Sequence, residues 1–271
     1  MWLVAIRIAA VVLGFVGVLT AGPTLAATCE NGDFAIWLEA FKQEAAAQGI
    51  SPRTLATLEG ITYDTGVVSR DRHQGVFRQS FEQFSGRMVP PRLRRGADKL
   101  KQYGPLLARI ERQFRVPAPI LVAIWGLETD FGADVGNFST LRSLASLAYD
   151  CRRSEKFQAE LIDALRIVQH GDMSATEMHG AWAGEIGQTQ FMPSSYVKFA
   201  VDYDGNGRRD LIHSVPDALA STANYLRGYG WQAVKPWREG SANFDVLLEW
   251  NKAQVYSRTI AYFATQLEEA R

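Results

Sequence analysis

The sequence predicts a mainly α-helical protein, and three features of the chain support this fold class. Apolar residues recur at helical spacing, as Phe34, Trp37, Leu38 and Phe41 do. Residues that favour helix starts and ends, such as Ser51-Pro52, separate the apolar stretches. The sequence contains no internal repeat, low-complexity tract or proline-rich linker. Its 271 residues fit one compact domain or two closely packed lobes.

The predicted helices of the N-terminal part are bounded by glycine and proline. Gly49 ends the first helix, and Ser51-Pro52 begins the second with a capping hydroxyl and a proline in the first turn. Val67-Val68 predicts a short extended piece. A basic amphipathic helix over 92–114 follows, divided at Gly104-Pro105. Further helices are expected near residues 119–128, 139–150, 154–169, 193–200, 215–229 and 251–268.

Composition and charge are those of an ordinary globular protein. The chain is 47% hydrophobic and 21% charged, with 29 basic and 29 acidic residues. This balance gives no electrostatic reason to expect nucleic acid or an anionic membrane surface as a partner.

Residues 1–27 have the composition of a secretory signal peptide. They carry one charged residue, Arg7, followed by the apolar stretch 8–19 and the small residues Ala26-Ala27. An uncleaved membrane anchor is the alternative, although the apolar stretch is shorter than the ~20 residues of a spanning helix. We therefore expect an exported protein whose mature domain comprises residues 28–271.

The mature chain keeps two cysteines, Cys29 and Cys151. An even count in an exported protein favours a disulfide, which would tie the N-terminal segment to the centre of the domain. Two unpaired buried thiols are the alternative. A metal site is not expected, because it needs more ligands than two cysteines supply.

The apolar run 119–127 ends at a single carboxylate, Glu128, which is followed by Thr129-Asp130-Phe131-Gly132. A carboxyl group on so apolar a surface is poorly solvated, which favours its neutral form and makes it a proton donor near neutral pH. Cleavage of a glycosidic bond requires such a donor. The alternative is that Glu128 leaves the helix end into water.

A second informative block runs from Gly184 to Tyr196 and reads Gly-Glu-Ile-Gly-Gln-Thr-Gln-Phe-Met-Pro-Ser-Ser-Tyr. Its glycines allow the backbone to approach a ligand closely, and its glutamine side chains offer the donors and acceptors that bind sugars. Pro193 lies where a new helix can start. Taken alone, the block is more typical of an ordinary turn before a helix.

Four separated blocks together resemble the lytic murein transglycosylases of the B type. They are Glu128 in ETDFG, the Arg152-Arg153 pair, GQTQFMPSSY from Gly187 to Tyr196, and DALASTANYLRGYGW from Asp217 to Trp231. Weaker similarity extends upstream through 74–96 and downstream to Trp250-Asn251 and Tyr256. The order and spacing of the blocks agree along most of the mature chain.

The resemblance implies a periplasmic enzyme with a lysozyme-like catalytic core and an additional helical lobe. Such enzymes cleave peptidoglycan between N-acetylmuramic acid and N-acetylglucosamine without water. One glutamic acid, here Glu128, protonates the leaving oxygen and then accepts the proton of the C6 hydroxyl, which closes onto C1 as a 1,6-anhydro end. One carboxylate suffices because this internal hydroxyl replaces an activated water. Since the sequence ends at Arg271, we expect no additional C-terminal peptidoglycan-binding module.

The resemblance also implies substrate-binding roles. The Arg152-Arg153 pair would hold the lactyl carboxylate or the peptide stem of muramic acid, with a solvated helix start as the alternative. Gln190 would lie beside the catalytic acid, Tyr225 would border the cleavage subsite or belong to the core, and Asn251 would contact a sugar. Ala181 stands where some relatives have a hydroxyl residue, so any hydrogen bond made there must come from another group.

A hydrolase that uses water would need a second acid. The nearby carboxylates are Asp130, Asp134, Asp150 and Glu185. Asp130 lies two positions from Glu128 and therefore points to another helix face, whereas loops can bring Asp134 or Glu185 opposite Glu128. A muramidase that uses water is the alternative enzyme, and a non-catalytic peptidoglycan-binding protein is the alternative outside the enzymes.

Residues 202–210, Asp-Tyr-Asp-Gly-Asn-Gly-Arg-Arg-Asp, match the first half of a calcium-binding EF-hand loop. Position twelve is His213, which lacks the bidentate carboxylate, so the later Asp217 would close the ligand shell. We expect a structural Ca²⁺ in this EF-hand-like loop, and a polar turn without an ion is the alternative. The expected metal site consists of Asp202, Asp204, Asn206, Arg208, Asp210 and Asp217.

The expectations for cofactors and partners follow from this resemblance. No cofactor is expected for catalysis, because Glu128 would act as both acid and base. The expected partner is the glycan strand of peptidoglycan rather than nucleic acid. The protein is expected to be a monomer that associates with the cell-wall machinery.

Overall fold

A computed structural model of the chain describes residues 28–29, 32–73 and 79–270. The predicted signal peptide, residues 1–27, lies outside the described residues. None of the described helices combines the length and the hydropathy that a membrane span requires. Thirteen α-helices lie in the described part of the chain, which confirms the mainly α prediction. They are α1 (Phe34–Ala47), α2 (Pro52–Leu55), α3 (Thr65–Arg72), α4 (Phe81–Met88), α5 (Pro90–Gln102), α6 (Gly104–Phe114), α7 (Ala118–Thr129), α8 (Thr140–Tyr149), α9 (Ser154–His170), α10 (Pro193–Phe199), α11 (Val215–Gly228), α12 (Ala242–Trp250) and α13 (Gln254–Glu269).

Helix α7 lies at the centre of the core. Every residue of α7 except Glu128 is buried, and Glu128 is itself partly buried. A helix that is apolar on all sides must be surrounded by other elements, and α7 packs against α5, α6, α11 and α13. Asp130 ends the helix in the left-handed conformation, with a φ of 55°. The core therefore determines where Glu128 lies, because it holds the helix on both sides of this side chain.

Several predicted helix boundaries are confirmed. The Ser51 hydroxyl accepts the N–H of Thr54 at the start of α2, and Gly49 has a φ of 89° after the end of α1. The basic stretch is divided as predicted, since α5 ends at Gln102 and α6 begins at Gly104. Capping groups and proline thus determined these boundaries locally.

The prediction of an extended piece at Val67-Val68 is wrong, because both residues lie in α3. The Asp64 carboxylate caps α3 by accepting the N–H groups of Gly66 and Val67 at 3.0 and 3.1 Å. Both valines are buried against the core. The cap and the burial outweigh the weak preference of β-branched residues for strands.

The C-terminal end contains two helices, α12 and α13, where the sequence predicted one helix near residues 251–268. Helix α12 was not predicted, and Ser241 caps it by accepting the N–H of Phe244 at 3.2 Å. Helix α13 starts later than expected because Asn251 is extended, with a φ of −145°. The Asn251 side chain accepts the N–H of Ala253 at 3.0 Å, which is a local turn that competes with the helix.

The small sheet positions the glycine-rich block. Strand β1 (Phe138–Ser139) pairs antiparallel with β2 (His179–Gly180), and Ile186 bridges Gly180 and Phe191. A Cβ atom on Gly180 would lie only 1.7 Å from the Glu185 carbonyl oxygen. Glycine at this position therefore lets the backbone of the block fold back onto the sheet.

The predicted disulfide between Cys29 and Cys151 is confirmed, with the two Cα atoms 5.0 Å apart. It joins residues 122 positions apart and attaches the N-terminal segment to the turn between α8 and α9. The Tyr149 hydroxyl adds a hydrogen bond to the Gly32 carbonyl at 2.7 Å. The disulfide thus anchors the turn that carries Arg152 and Arg153.

Candidate active site

Glu128 lines a cleft of about 990 Å³. The cleft lies between residues of α3, α9 and α11, the junction of α12 and α13, and the loop between β2 and α10. Of the six predicted catalytic and substrate-binding residues, Arg152 does not line the cleft. The five that do are Glu128, Arg153, Gln190, Tyr225 and Asn251.

Glu128 has the environment that the apolar run predicted. Burial raises the pKa of its carboxyl group from an ordinary value of 4.5 to about 7. Hydrogen bonds from Trp250 and Tyr256 oppose this shift, and the charge of Glu185 adds to it. The alternative of a carboxylate that leaves the helix end into water is wrong. A carboxyl group with this pKa is present in both protonation states near neutral pH.

Two aromatic side chains hold the Glu128 carboxyl group. The indole Nε1 of Trp250, at the end of α12, donates to Glu128 Oε1 at 2.9 Å. The Tyr256 hydroxyl, on α13, also donates to Glu128, and burial raises the pKa of Tyr256 well above its usual 10. Tyr256 therefore remains a neutral donor at physiological pH.

Sequence reasoning missed the positioning role of Trp250 and Tyr256. Both residues lie in the segment of weaker resemblance, and neither belongs to a recognisable motif. The available signal was the residue type, because a buried indole or phenol needs an acceptor for its polar hydrogen. The acceptor is 122 positions from Trp250 in the chain, so only the fold reveals the pair.

Two carboxylates besides Glu128 line the cleft. Glu249 forms an ion pair with Lys252 at 2.6 Å, and the other is Glu185. Glu185 accepts the backbone N–H of Ala183 at 3.1 Å, and burial raises its pKa above the usual range. The other three candidates for a second acid do not line the cleft. Asp130 pairs with Arg95 at 2.7 Å, Asp150 pairs with Arg72 at 2.5 Å, and the backbone N–H of Asp134 continues the turn after α7.

The glycine-rich block places two glutamines in different roles. Gln188 belongs to the core, because its amide accepts from the Trp125 indole and donates to the Ile212 carbonyl, both at 3.0 Å. Gln190 lines the cleft, has a φ of 54°, and donates to the Val135 and Gly187 carbonyls. The hydrogen bonds of Gln190 hold the loop in place beside the cleft.

Tyr225 and Asn251 line the cleft and also stabilise the fold. The Tyr225 hydroxyl donates to the Glu249 carbonyl at 2.8 Å, and its ring makes an edge contact with Trp250 at a centroid distance of 4.9 Å. Asn251 forms the turn that begins α13. The sequence allowed two alternatives for Tyr225, a residue of the core or a residue that borders the cleft. The structure shows that Tyr225 is both. Ala181 lies at the same cleft.

The Arg152-Arg153 pair is engaged by a buried carboxylate. Asp71, which is 3% exposed, accepts from Arg152 Nε at 2.6 Å and forms a close ion pair with Arg153. The Arg153 guanidinium also lies over the Phe157 ring, 4.8 Å from its centroid. These contacts connect α3 to the start of α9 and turn Arg153, but not Arg152, toward the cleft.

The EF-hand-like loop lies outside the cleft lining. One carboxylate oxygen from each of Asp202, Asp204 and Asp217 lies within 4.8 Å of the others, and no ion pair of the described residues neutralises Asp217. Three convergent carboxylates fit a hard cation that prefers oxygen ligands. Asp210 instead contacts the His213 ring at 3.0 Å, and the Asn206 side chain accepts the N–H of Arg208 at 2.9 Å. The chain thus brings together the carboxylates of three of the four predicted aspartate ligands, Asp202, Asp204 and Asp217.

The sequence matches a known family over most of its length. Residues 33–241 match the family described as the transglycosylase SLT domain. A stretch of 145 residues, 53% of this chain, is 37% identical to the membrane-bound lytic murein transglycosylase B of Escherichia coli (strain K12). This stretch covers 40% of the E. coli protein, so the match spans less than half the length of that relative.

Solved structures have the same fold. SltB3 from Pseudomonas aeruginosa, in complex with NAG-NAM-pentapeptide, matches with a TM-score of 0.83 and 33% identity, over 88% of this chain and 81% of that chain. The E. coli lytic transglycosylase SLT35, in complex with calcium, matches with a TM-score of 0.77 and 23% identity, over 86% and 93% of the two chains. The second likeness shows the fold alone. Both matches confirm the predicted mainly α, lysozyme-like fold.

Proposed function

Because the chain belongs to the transglycosylase SLT family, among the lytic murein transglycosylases of the B type, we propose that it cleaves peptidoglycan glycan strands by lytic transglycosylation. The observation that carries this proposal is Glu128. Its carboxyl group lies in a cleft, has a pKa of about 7, and is held by two neutral donors. A single group of this kind can serve as both acid and base.

The proposed reaction breaks the β-1,4 bond between N-acetylmuramic acid and N-acetylglucosamine. Protonated Glu128 gives its proton to the leaving glycosidic oxygen as the bond to C1 breaks. The resulting carboxylate then takes the proton of the C6 hydroxyl of the same muramic acid. The C6 oxygen bonds to C1 and yields a 1,6-anhydro end, and Glu128 returns to its starting state.

The surroundings of Glu128 suit both steps. Burial keeps a large fraction of the carboxyl group protonated at neutral pH, which the first step needs. Trp250 and Tyr256 donate to the carboxylate after the proton has left, which stabilises it until the second step. We assign these two residues as positioning residues that act through Glu128.

The remaining cleft residues would bind the substrate. SltB3, a protein 33% identical to this chain, binds a disaccharide that carries a pentapeptide. By analogy, Gln190, Tyr225 and Asn251 would contact the sugars, and Arg153, supported by Arg152, would face the lactyl or peptide part of muramic acid. No cofactor takes part in this scheme. The glycan strand is the proposed partner, with no role for nucleic acid.

The location and organisation of the protein are also proposals. We propose that residues 1–27 direct export to the periplasm and that residues 28–271 form the catalytic domain, which acts as a monomer alongside the cell-wall machinery. The Cys29–Cys151 disulfide supports an oxidising compartment. The Asp202–Asp217 loop would hold a structural Ca²⁺, a proposal that the calcium complex of SLT35 supports by analogy.

The mass of the products tests the proposed reaction. Purified peptidoglycan is digested with the protein, and the released fragments are analysed by mass spectrometry. Fragments one water lighter than hydrolysis products, ending in 1,6-anhydromuramic acid, are the expected result. The absence of any cleavage, with binding to peptidoglycan retained, would instead favour a non-catalytic binding protein.

Glu185 favours one second candidate, a muramidase that uses water. Of the four candidates for a second acid it is the one that lines the cleft, as Asp130, Asp134 and Asp150 do not. A hydrolase would release hydrated reducing ends, and Glu185→Gln would stop that release. If the products are 1,6-anhydro sugars and Glu185→Gln still forms them, the muramidase is excluded.

A further inference from the structure

One side of the cleft is rich in cationic side chains. Arg70 from α3 and Lys156 from α9 line it together with Arg153. Asp71, the neighbour of Arg70, binds Arg153, and this contact brings α3 and α9 together there. Arg70 and Lys156 are exposed, whereas Glu128 is withdrawn from solvent. The two exposed cations therefore form the rim of the cleft, and the reacting carboxyl group lies deeper.

Arg70 and Lys156 are electrostatically different from Arg153. The carboxylate of Asp71 binds both Arg152 and Arg153 and offsets part of their charge. Among the described residues, no carboxylate forms an ion pair with Arg70 or Lys156. Their cationic groups instead lie over aromatic rings, Arg70 over Phe138 at 5.3 Å and Lys156 over Phe157 at 5.5 Å.

The carboxylates that face this side do not cancel its charge. Glu185 attracts Lys156 and Arg153 without an ion pair to either. Glu249, on the cleft lining, is paired with Lys252 at 2.6 Å. Asp71 is already shared by two guanidinium groups. The rim therefore keeps surplus positive charge, which concentrates anionic groups of a ligand in a cleft.

We infer that Arg70 and Lys156 form a subsite for the carboxylates of the peptide stem on muramic acid. This inference rests on the proposed function, and it adds the part of the substrate that the rim recognises. The sugar rings of a strand are uncharged, so a muramic acid is anionic on its stem or, where no stem is attached, on its free lactyl carboxylate. A sugar that reaches Glu128 lies deep in the cleft, whereas a stem that leaves the sugar passes the rim. The rim cations therefore match the stem rather than the lactyl group.

Three synthetic glycan oligomers test this subsite. The first carries a stem with free carboxylates, the second carries the same stem with these carboxylates converted to amides, and the third has no stem and a free lactyl carboxylate. The protein is expected to show a KM about three- to tenfold lower for the acidic stem than for the amidated stem, at the same kcat. High salt is expected to reduce this preference, because the rim is exposed.

The double variant Arg70→Ala/Lys156→Ala is expected to lose the preference for the acidic stem and to retain turnover of the amidated oligomer. Lys101→Ala, an exposed cation on α5 outside the cleft lining, is the matched control and should keep the preference. Retention of the preference in the double variant overturns the inference. An equal loss on all three oligomers also overturns it, because the residues would then be structural.

Two further outcomes separate this inference from its premise. If the double variant loses turnover of the stemless oligomer alone, the rim binds the lactyl carboxylate and the stem assignment is wrong. If the unaltered protein cleaves none of the oligomers, the proposed function fails. In that case, the affinities for the acidic and the amidated oligomer are compared by calorimetry. Tighter binding of the acidic oligomer would support the subsite without any turnover.

Discussion

The cleft and the Asp202–Asp217 loop both contain several carboxyl groups, but the two environments shift the pKa values of Glu128 and Asp202 in opposite directions. In the cleft, burial raises the pKa of Glu128 to about 7. In the loop, the backbone N–H groups of Gly207, Gly205 and Asn206 lower the pKa of the exposed Asp202 carboxylate. The first environment retains a proton near neutral pH, and the second keeps a permanent negative charge.

The comparison shows that the surroundings of a carboxyl group decide its chemistry. Glu128 follows ten buried residues of α7 and accepts hydrogen bonds from two side chains, Trp250 and Tyr256. Asp202 is met by three N–H groups from a glycine-containing turn. Proton transfer is therefore expected in the cleft and cation binding in the loop. Asp217 is intermediate, because its burial raises its pKa while three backbone N–H groups lower it.

The largest expected effect comes from Glu128→Gln, which removes the proton and keeps the shape of the side chain. We expect kcat to fall by at least about 10³-fold, because Glu128 is the proposed acid and base and an amide can serve as neither. Turnover of peptidoglycan measures this loss. Asp210→Asn, in the loop, is the matched control and should leave kcat unchanged.

The same substitution should stabilise the fold above neutral pH. A buried acid whose pKa is raised from 4.5 to about 7 loses folded-state stability as the pH rises through this interval, because the folded state holds the proton more tightly. Glu128→Gln removes this cost of about 3 kcal/mol at pH 8 and should raise Tm there, but not at pH 4. An unchanged Tm at pH 8 would contradict the proposed burial of Glu128.

The next largest effect is expected from Trp250→Phe, which removes a donor to Glu128. The donor stabilises the ionised carboxylate, so its loss should raise the pKa of Glu128 above 7 and move the alkaline limb of the pH–rate profile upward. We also expect kcat to fall about tenfold at neutral pH, because the base of the second step is less stable. The pH dependence of kcat measures both effects.

Tyr256→Phe should also raise the pKa of Glu128 and move the alkaline limb of the pH–rate profile to higher pH. Tyr262→Phe is the control variant. Tyr262 lies on the same helix, is 42% exposed, and packs against Phe81 rather than Glu128. A pH–rate profile that shifts equally in both tyrosine variants would show that the effect is not transmitted through Glu128.

The loop is expected to affect stability without affecting chemistry. If Ca²⁺ at about 100 times its Kd occupies the loop, it stabilises the fold by about 2.7 kcal/mol, so a chelator should lower Tm by roughly 5–10 °C. Calorimetry with and without chelator measures this change. The variant Asp202→Asn/Asp217→Asn should melt at the lower temperature and no longer respond to chelator. A chelator-insensitive Tm in the unaltered protein would leave the loop as a polar turn.

The smallest effect is expected from Glu185→Gln. The negative charge of Glu185 makes a minor contribution to the raised pKa of Glu128, so its removal should lower that pKa slightly. The alkaline limb of the pH–rate profile should move to lower pH, opposite to the shift in Trp250→Phe and smaller than it. A shift in the same direction for both variants would contradict the proposed electrostatics of the cleft.

The amino-acid sequence was sufficient for features that depend on neighbouring residues. Helix boundaries at Ser51 and Gly104, the apolar helix before Glu128 and the acidic spacing of the 202–210 loop all follow from short-range capping and periodicity. The blocks around Glu128 and Gln190 also identified the family. The local rule failed at Val67-Val68, where a capping carboxylate and burial outweighed propensity.

Only the tertiary structure decided which side chains share an environment. Trp250 and Tyr256 donate to Glu128 only because the fold brings them together. Asp71 forms ion pairs with both Arg152 and Arg153. Of the four candidates for a second acid, Glu185 is the one that lines the cleft. The residues in each of these contacts are far apart in the chain or separated by loops. The hydrophobic periodicity of the sequence therefore does not predict the contacts. The sequence therefore determined that a carboxyl group would be carried on an apolar helix, whereas the fold determined its donors and its charged neighbours. The physical reason is that a pKa depends on burial and on nearby dipoles and charges, which arise only when distant segments pack together.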